Sequence, residues 1–400
     1  MKKIHDVLFL CQFFYPEYVS SATLPFDTAT YLSSHGLKVG VLCGFPKEYT
    51  SKQKIKKNEY LNGIKIKRIR YLQCSRKKFI GRILNYFSFT ISCLFHINNI
   101  RHYKNVIVYS NPPILPLIAV ISNKLFHTKI YFVCYDVYPE IAHVTGNLHE
   151  GSIISKIMSK INNSIVKNCN KIIALTDEMK DFIINNRKSI SSNNIEVIPN
   201  WAHEKINKAE INFVLGIDKG DFIISFLGNM GTCQEMDTLL EVAKLLKNEY
   251  CIKFLFIGHG NKKESIKNMI IKECLQNVIV MDFLVGEELQ NIINISSCFA
   301  ISLEQGLKGL CAPSKYYSYL QSGKPILAIV QDNSYIANEI KDKKIGIAIR
   351  QGDCAQLAKE IINLKNDPEK IAEFSENSRK LYMNSYTKEL CNAKYLKLFH

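Results

Sequence analysis

No two of the thirteen cysteines form a CxxC pair, so a redox pair and a paired-cysteine zinc site are both excluded. They are scattered and apolar in context (Cys11, Cys43, Cys134, Cys251). That usage suits small buried hydrophobes in a reducing cytoplasm, not the disulfide framework of a short secreted chain. The ten histidines are equally scattered and no GxSxG occurs, which removes zinc hydrolases and serine-hydrolase elbows. Runs of membrane-spanning length are missing too. Residues 83–100 are broken by Asn85, Ser88, Ser92, His96, Asn98 and Asn99, and residues 105–123 by Pro112, Pro113 and Pro116. Neither supplies the roughly 20 predominantly apolar residues of a span. The opening "MKKIHDVLFLCQFFYPE" has a basic start and an apolar run, but it contains His5 and Asp6 and no small-residue cleavage site. A buried first strand is expected there instead of a signal peptide.

What is present is a chain of 400 residues, 47% hydrophobic, with a formal charge of +16. That length exceeds a single core of about 250–300 residues, so two domains are expected. The charge is concentrated: residues 52–82 hold twelve Lys or Arg against Glu59 alone. Directly after them, Ile83, Phe87, Ile91 and Leu94 share one helical face, flanked by Leu84 and Phe95. A basic segment joined to an aromatic amphipathic helix can hold a protein on an anionic leaflet. A solvated loop followed by an ordinary core-facing helix fits the same residues. Nucleic acid is not an expected partner, because aromatics do not interleave with the cations and no recognition motif occurs.

Apolar runs at 4–10, 39–43, 105–109, 129–134, 171–175 and 195–198, then at 222–227, 253–257, 278–281, 298–302 and 325–330, alternate with helical patterns. Continuous apolar runs of this length read as parallel strands buried on both faces. The alternation implies an α/β chain of doubly wound parallel sheets. The series breaks at "VIPNWAHEKINKAEINFVLGIDKGD", which carries Trp201, the single tryptophan. A boundary near residue 203 is expected, giving domains 1–203 and 204–383. Ligands of such sheets bind beyond the carboxyl ends of the strands, so two facing domains would place a cleft between them.

Three turns carry phosphate-binding chemistry. "FIISFLGNMGTCQEM" is a strand followed by a turn with Gly228 and Gly231, and "KFLFIGHGNKK" repeats the device with Gly258 and Gly260. Both offer backbone amides and a helix N-terminus to an anion. In "CAPSKYYSYLQSGKP", Pro313 suits a helix start, Ser314 offers a hydroxyl, and Lys315 adds a cation where the backbone dipoles are already positive. An N-capped helix with a solvent-facing lysine is the plain alternative. The arrangement is favourable with a diphosphate bound.

These segments, with "FFYPEYVSSATLPFDTATYLSSHGLKVGVLCGFP", "SNPPILPL", "YDVYPEIAHVTGNL" and "VIPNWA", resemble the family-4 glycosyltransferases of the GT-B fold. Within them the chain looks closest to the N-acetyl-L-fucosamine transferases of O-antigen and capsule assembly. The resemblance runs through nearly the whole chain in order. It implies two Rossmann-like domains facing a cleft, with residues 384–400 as a C-terminal helix crossing back to the first. It also implies donor-diphosphate contacts from Gly228, Asn229, Gly231, Ser314 and Lys315. Base and ribose contacts would come from Gly258, Phe283, Leu284 and Ser318, acceptor-side contacts from Glu17, Ser20 and Ser21, and catalytic roles fall to Asp136 and Lys315.

The chain departs from the family pattern in places. Asn229 and Gln234-Glu235 replace an Arg and a Lys-Gly, Ser20 and Ser21 replace a glycine pair, and the paired glutamates fall at Leu310 and Ser318. With fewer cations elsewhere, Lys315 is expected to carry more of the leaving-group charge. Glu304 is either a donor-sugar contact or a surface carboxylate. No DxD occurs, so a metal-dependent transferase of the alternative fold is not expected; the resemblance implies neither a metal nor a cofactor, the UDP-sugar being a substrate. The implied activity is retaining transfer from a UDP-sugar, an N-acetylated or deoxy amino sugar, to a polyprenyl-diphosphate-linked saccharide. It would take place on the inner face of the cytoplasmic membrane. A UDP-sugar 2-epimerase of the same fold and a non-enzymatic basic binding protein are the alternatives.

Overall fold

The computed structural model describes residues 3–46, 50, 54–75, 79–187, 190–202 and 216–400. The chain divides into two compact units, Met1–His203 with Gly309–Ala312 and Lys388–His400, and Glu204–Lys308 with Pro313–Thr387. Most of the connection around the expected boundary, residues 203–215, lies outside the described residues.

The first unit is built on β1 (His5–Cys11), β2 (Val39–Gly44), β3 (Asn58–Leu61), β4 (Ile64–Ile69), β5 (Tyr103–Tyr109), β6 (Lys129–Cys134), β7 (Lys171–Ala174) and β8 (Ile195–Val197). They lie in the order β3-β4-β2-β1-β5-β6-β7-β8. Every neighbouring pair is parallel except β3 with β4. Apolar strands such as β1 and β6 are buried on both faces because helices cover the sheet. The helix Lys388–Lys397 packs on the helix Ser20–Ser34 within this unit. There Asp27 accepts from Trp201 Nε1 at 3.0 Å and pairs with Lys388.

The second unit is built on β9 (Phe222–Asn229), β10 (Ile252–His259), β11 (Val278–Met281), β12 (Cys298–Ser302), β13 (Ile326–Ile329) and β14 (Gly346–Ile349). Its order is β11-β10-β9-β12-β13-β14, all parallel. Counted from β9 this is the 3-2-1-4-5-6 order of a dinucleotide-binding sheet, whose switch point lies between β9 and β12. One core, centred on Phe226, Phe254, Phe256 and Leu240, fills the space under the helices.

The basic run is not a plain loop: where it is described it contains strands β3 and β4. Asn62 (φ 50°) and Gly63 (φ 77°) form the left-handed turn of a two-residue hairpin. In β4 the isoleucines point inward while Lys65 is exposed, so three of the twelve cations, Lys65, Lys67 and Arg68, belong to a strand and not to a loop. Arg68 is fully buried, held by the Lys56 and Tyr15 carbonyls at 2.8 Å each and by Glu59. Residues 51–53 and 76–78 of the run lie outside the described residues.

The helix Phe79–Phe95 follows. Of the expected stripe, Leu84, Phe87, Ile91, Leu94 and Phe95 are exposed, while Phe89 and Cys93 on the opposite side are fully buried. The apolar face faces away from the core, which corrects the plain core-helix alternative. Among the described residues no helix is long and apolar enough to cross a membrane.

Candidate active site

At the switch point of the second sheet, β9 and β10 stay in register to their last residues, Gly258 beside Gly228 and His259 beside Asn229. On its other side β9 pairs with β12 only at Ile224–Cys298 and Ser225–Phe299. Beyond that level the two strands part and a crevice opens. Tyr319, stacked on Phe299 at 4.3 Å, reaches into the gap: its hydroxyl accepts from the Leu227 amide at 2.9 Å. An edge amide that would otherwise be orphaned is thereby satisfied by a side chain.

The helix carrying Tyr319, Lys315–Ser322, starts above this crevice and ends at Gly323 in the left-handed region (φ 63°). Pro313 lies two residues ahead of its first turn, and Ser314 precedes it without a side-chain cap. Lys315 does not face solvent with its charged end. Its Nζ is buried without a hydrogen-bond partner among the described residues, 3.7 Å from the ring centroid of Phe226. A Cβ placed on Gly228 would stand 3.9 Å from the same nitrogen. Burial drives its pKa from 10.5 down to about 7. The ring offers a cation–π contact, but three donors point into a site with no acceptor among the described groups. A buried ammonium in that state is stabilised by an anion.

The glycine turns are pressed together beside it. A Cβ on Gly258 (φ 148°) would lie 1.8 Å from the Gly228 carbonyl oxygen. The Met230 amide donates to the His259 carbonyl at 2.7 Å, and the Lys262 amide to the Met230 carbonyl at 3.0 Å. Asn229 is exposed, and its side-chain amide folds back over Gly231. Gln234 accepts from the Gly231 amide at 3.1 Å.

Glu304 pairs with Lys262 at 2.5 Å, and the same ammonium bonds the Gln234 carbonyl at 2.6 Å. Further along the strand ends, Phe283 is part exposed and stands edge-on to His259 at 5.5 Å. Leu284 packs partly buried beside it, and Ser318 lies one turn after Lys315 on the helix. Thus Gly228, Asn229, Gly231, Gly258, Ser314 and Lys315 converge on the strand ends of one sheet. Tyr319, Phe226 and Lys262 belong to the same arrangement and were not foreseen. The only hint of Tyr319 in the sequence is its place one helical turn after Lys315.

Glu17, Ser20, Ser21 and Asp136, expected on the acceptor side or in catalysis, lie in the first unit. Asp136 follows β6; its amide and that of Tyr135 donate to Ser110 Oγ at 3.1 and 3.0 Å. An isolated antiparallel bridge pairs it with Cys311, and Val137 donates to the Leu310 carbonyl at 2.8 Å. Leu310 is itself buried. Desolvation raises the Asp136 carboxyl to about 6. The following loop is clamped by Arg187, which binds both carboxylate oxygens of Glu140 at 2.6 and 2.7 Å and the Tyr138 carbonyl at 2.9 Å. Glu17 is buried, and its carboxylate accepts from the Phe14 amide at 3.3 Å. Ser20 and Ser21 open the first turn of the helix Ser20–Ser34, just after β1.

Solved structures share this architecture. Sucrose-phosphate synthase from Thermosynechococcus elongatus superposes with a TM-score of 0.74 at 11% identity, covering 99% of this chain and 98% of that one. Anabaena HepE, solved with UDP, gives 0.70 at 11% identity over 98% and 99%. The fold is GT-B. Residues 207–381, most of the second unit, match the model of glycosyl transferases group 1. Among characterised relatives, a probable glycosyltransferase, WbjE, of Pseudomonas aeruginosa is 25% identical over 62% of this chain and 63% of its own length. A poly(ribitol-phosphate) alpha-N-acetylglucosaminyltransferase of Staphylococcus aureus is 27% identical over 65% of this chain and 50% of its own. The matched stretch therefore spans less than two thirds of either relative.

Proposed function

We propose that the protein is a retaining, metal-independent glycosyltransferase that takes a UDP-sugar, an N-acetylated or deoxy amino sugar, as donor. The observation that carries this reading is the partnerless, desolvated ammonium of Lys315 above the switch point of a 3-2-1-4-5-6 sheet. Breaking the anomeric C–O bond leaves charge on the terminal phosphate. Lys315, the amides of the Gly228–Gly231 turn and the N-terminus of its own helix would stabilise that charge, an electrostatic term worth several kcal/mol in a dry site. The departing phosphate would take the acceptor's proton. Asp136, ionised above about pH 6, would orient the acceptor hydroxyl or balance positive charge on the sugar ring. The group 1 domain and the UDP bound by HepE support the donor class.

The acceptor in this reading is a polyprenyl-diphosphate-linked saccharide, met at the inner face of the cytoplasmic membrane in surface polysaccharide assembly. Support comes from the exposed apolar face of the helix Phe79–Phe95 beside basic residues. The helix Pro116–Phe126 packs against it and in turn contacts the helix Ile153–Asn168. Ile153, Ile154 and Ile157 there are exposed among Lys156 and Lys160.

The test is a thermal-shift screen of nucleotide-sugars, followed by transfer assays with the stabilising donor. Stabilisation by a UDP-sugar and turnover only with a lipid-linked acceptor are expected. Interconversion of the sugar without acceptor would make the protein an epimerase. Stabilisation by no nucleotide-sugar would return it to the class of basic binding proteins.

A further inference from the structure

Lys263 plays no part in the reading above, yet its ammonium is among the most fully engaged groups of the second unit. The residue opens the helix Lys263–Glu273 and is 8% exposed. Its Nζ donates to the Gly258 carbonyl at 3.0 Å, to the Met281 carbonyl at 2.9 Å and to Asp282 Oδ1 at 2.5 Å. An ammonium has three donors, and all three are used. The two carbonyls lie on neighbouring strands where their shared ladder stops: the ladder between β10 and β11 ends at Ile257–Met281. One cation thus joins the strand ends where the ladder stops, and through Asp282 it fixes the first residue of the 282–284 loop.

That loop carries Phe283, whose ring stands edge-on to His259, the residue that follows Gly258. His259 and Phe283 therefore hang from the two backbone points that Lys263 ties together. A part-exposed ring wall beside a diphosphate-binding turn suits the flat, aromatic end of a nucleotide. Asp282 is no obvious ligand group itself: apart from its bond to Lys263 the side chain is almost wholly exposed, at 97%. Holding the loop is the role its geometry serves.

We infer that Lys263, through Asp282, is a positioning residue that sets the 282–284 loop as a nucleobase wall, so that it governs recognition of the nucleoside and not of the diphosphate. This rests on the nucleotide-sugar reading, and the experiment separates the two. Calorimetry is run with UDP and with inorganic pyrophosphate on the wild type, Lys263→Met and Asp282→Ala. Asp282→Ala alters an exposed side chain and leaves both buried carbonyls bonded, so it tests the loop even where Lys263→Met folds poorly.

The wild type is expected to bind both probes. Lys263→Met should weaken UDP about tenfold and Asp282→Ala about threefold, the scale of losing charge-assisted hydrogen bonds that act indirectly. Pyrophosphate should bind all three proteins alike, within about twofold. Unchanged UDP affinity in Asp282→Ala, or an equal loss of UDP and pyrophosphate, overturns the positioning role and leaves the donor reading standing. A wild type that binds pyrophosphate and no UDP overturns both.

Discussion

The Nζ of Lys315 lies 3.7 Å above the centre of the Phe226 ring and has no hydrogen-bond acceptor among the described residues. Without ligand this is an unfavourable place for a cation, and with a diphosphate it becomes a favourable one. Replacing it with methionine keeps the stem and removes the charge. Lys315→Met should lower kcat/KM by about 100- to 1,000-fold, the range found when one transition-state donor is lost. The same variant should melt no lower than the wild type in the absence of ligand, because a desolvated, unpaired cation has gone. Near-normal turnover at saturating donor would remove Lys315 from the leaving-group role.

The pH profile follows from two opposed shifts. The Asp136 carboxyl, raised to about 6, is neutral below that pH; Lys315, lowered to about 7, is charged only below that pH. Both groups are ionised together between about 6 and 7, so kcat/KM should be bell-shaped with limbs near those values. Asp136→Asn should abolish the acid limb along with most of the rate, and Lys315→Arg should carry the alkaline limb upward. For stability the signs differ. Lys315 binds fewer protons folded than unfolded between about 7 and 10.5, so its contribution rises with pH there. The Asp136 contribution is complete below 3.8 and is lost as pH climbs through about 6.

Tyr319 holds the open edge of β9. In Tyr319→Phe the Leu227 amide loses its acceptor with the ring stack on Phe299 retained. A loss of about 1–3 kcal/mol is expected, as for a buried donor left unpaired. Chemical denaturation of the variant, with nucleotide binding measured beside it, checks this. An unaltered unfolding midpoint would show that water replaces the phenol.

Gly258→Ala places a methyl 1.8 Å from the Gly228 carbonyl oxygen at a φ of 148°. Neither backbone can yield without parting β9 from β10 at the Gly228 turn. Destabilisation above about 2 kcal/mol is expected, with nucleotide binding lost at temperatures where the protein remains folded. Calorimetric unfolding compared with UDP titration measures both effects.

For the exposed helix, Phe87→Asp combined with Ile91→Asp should reduce co-sedimentation with anionic vesicles and leave turnover on a soluble acceptor analogue unchanged. Binding of the wild type should weaken with salt, since surface attraction is screened beyond about 8–10 Å at physiological ionic strength. Undiminished sedimentation of the double variant would move the membrane contact elsewhere.

Strands buried on both faces were readable as apolar runs, and eleven of them match strands β1, β2 and β5–β13 to within two residues at nearly every end. Three strands were not seen. Strands β3 and β4 were hidden by charge: Lys65 and Lys67 made "IKIKRI" look like a solvated cationic tract. The Asn62-Gly63 turn between alternating residues is the signal that marks a hairpin there. Strand β14 is short, with all four residues only partly buried, so its run carried little contrast.

The glycine turns and the Pro-Ser-Lys corner could be found by their spacing, because tight turns and helix starts are local and leave local marks. The burial of Lys315 over Phe226, the entry of Tyr319 into the gap between β9 and β12, and the tie that Lys263 makes between two strand ends carry no such marks. Each depends on a contact between residues 18 to 92 positions apart: Lys263 with Met281, Lys315 with Phe226, and Tyr319 with Leu227. By itself the sequence determined the alternation of strands and helices, the fold class and the glycine turns at the strand ends, since backbone geometry and hydrophobic burial act between near neighbours. The tertiary structure alone decided which charges lose their water and which carbonyls they meet, since desolvation depends on what the rest of the chain packs around a group.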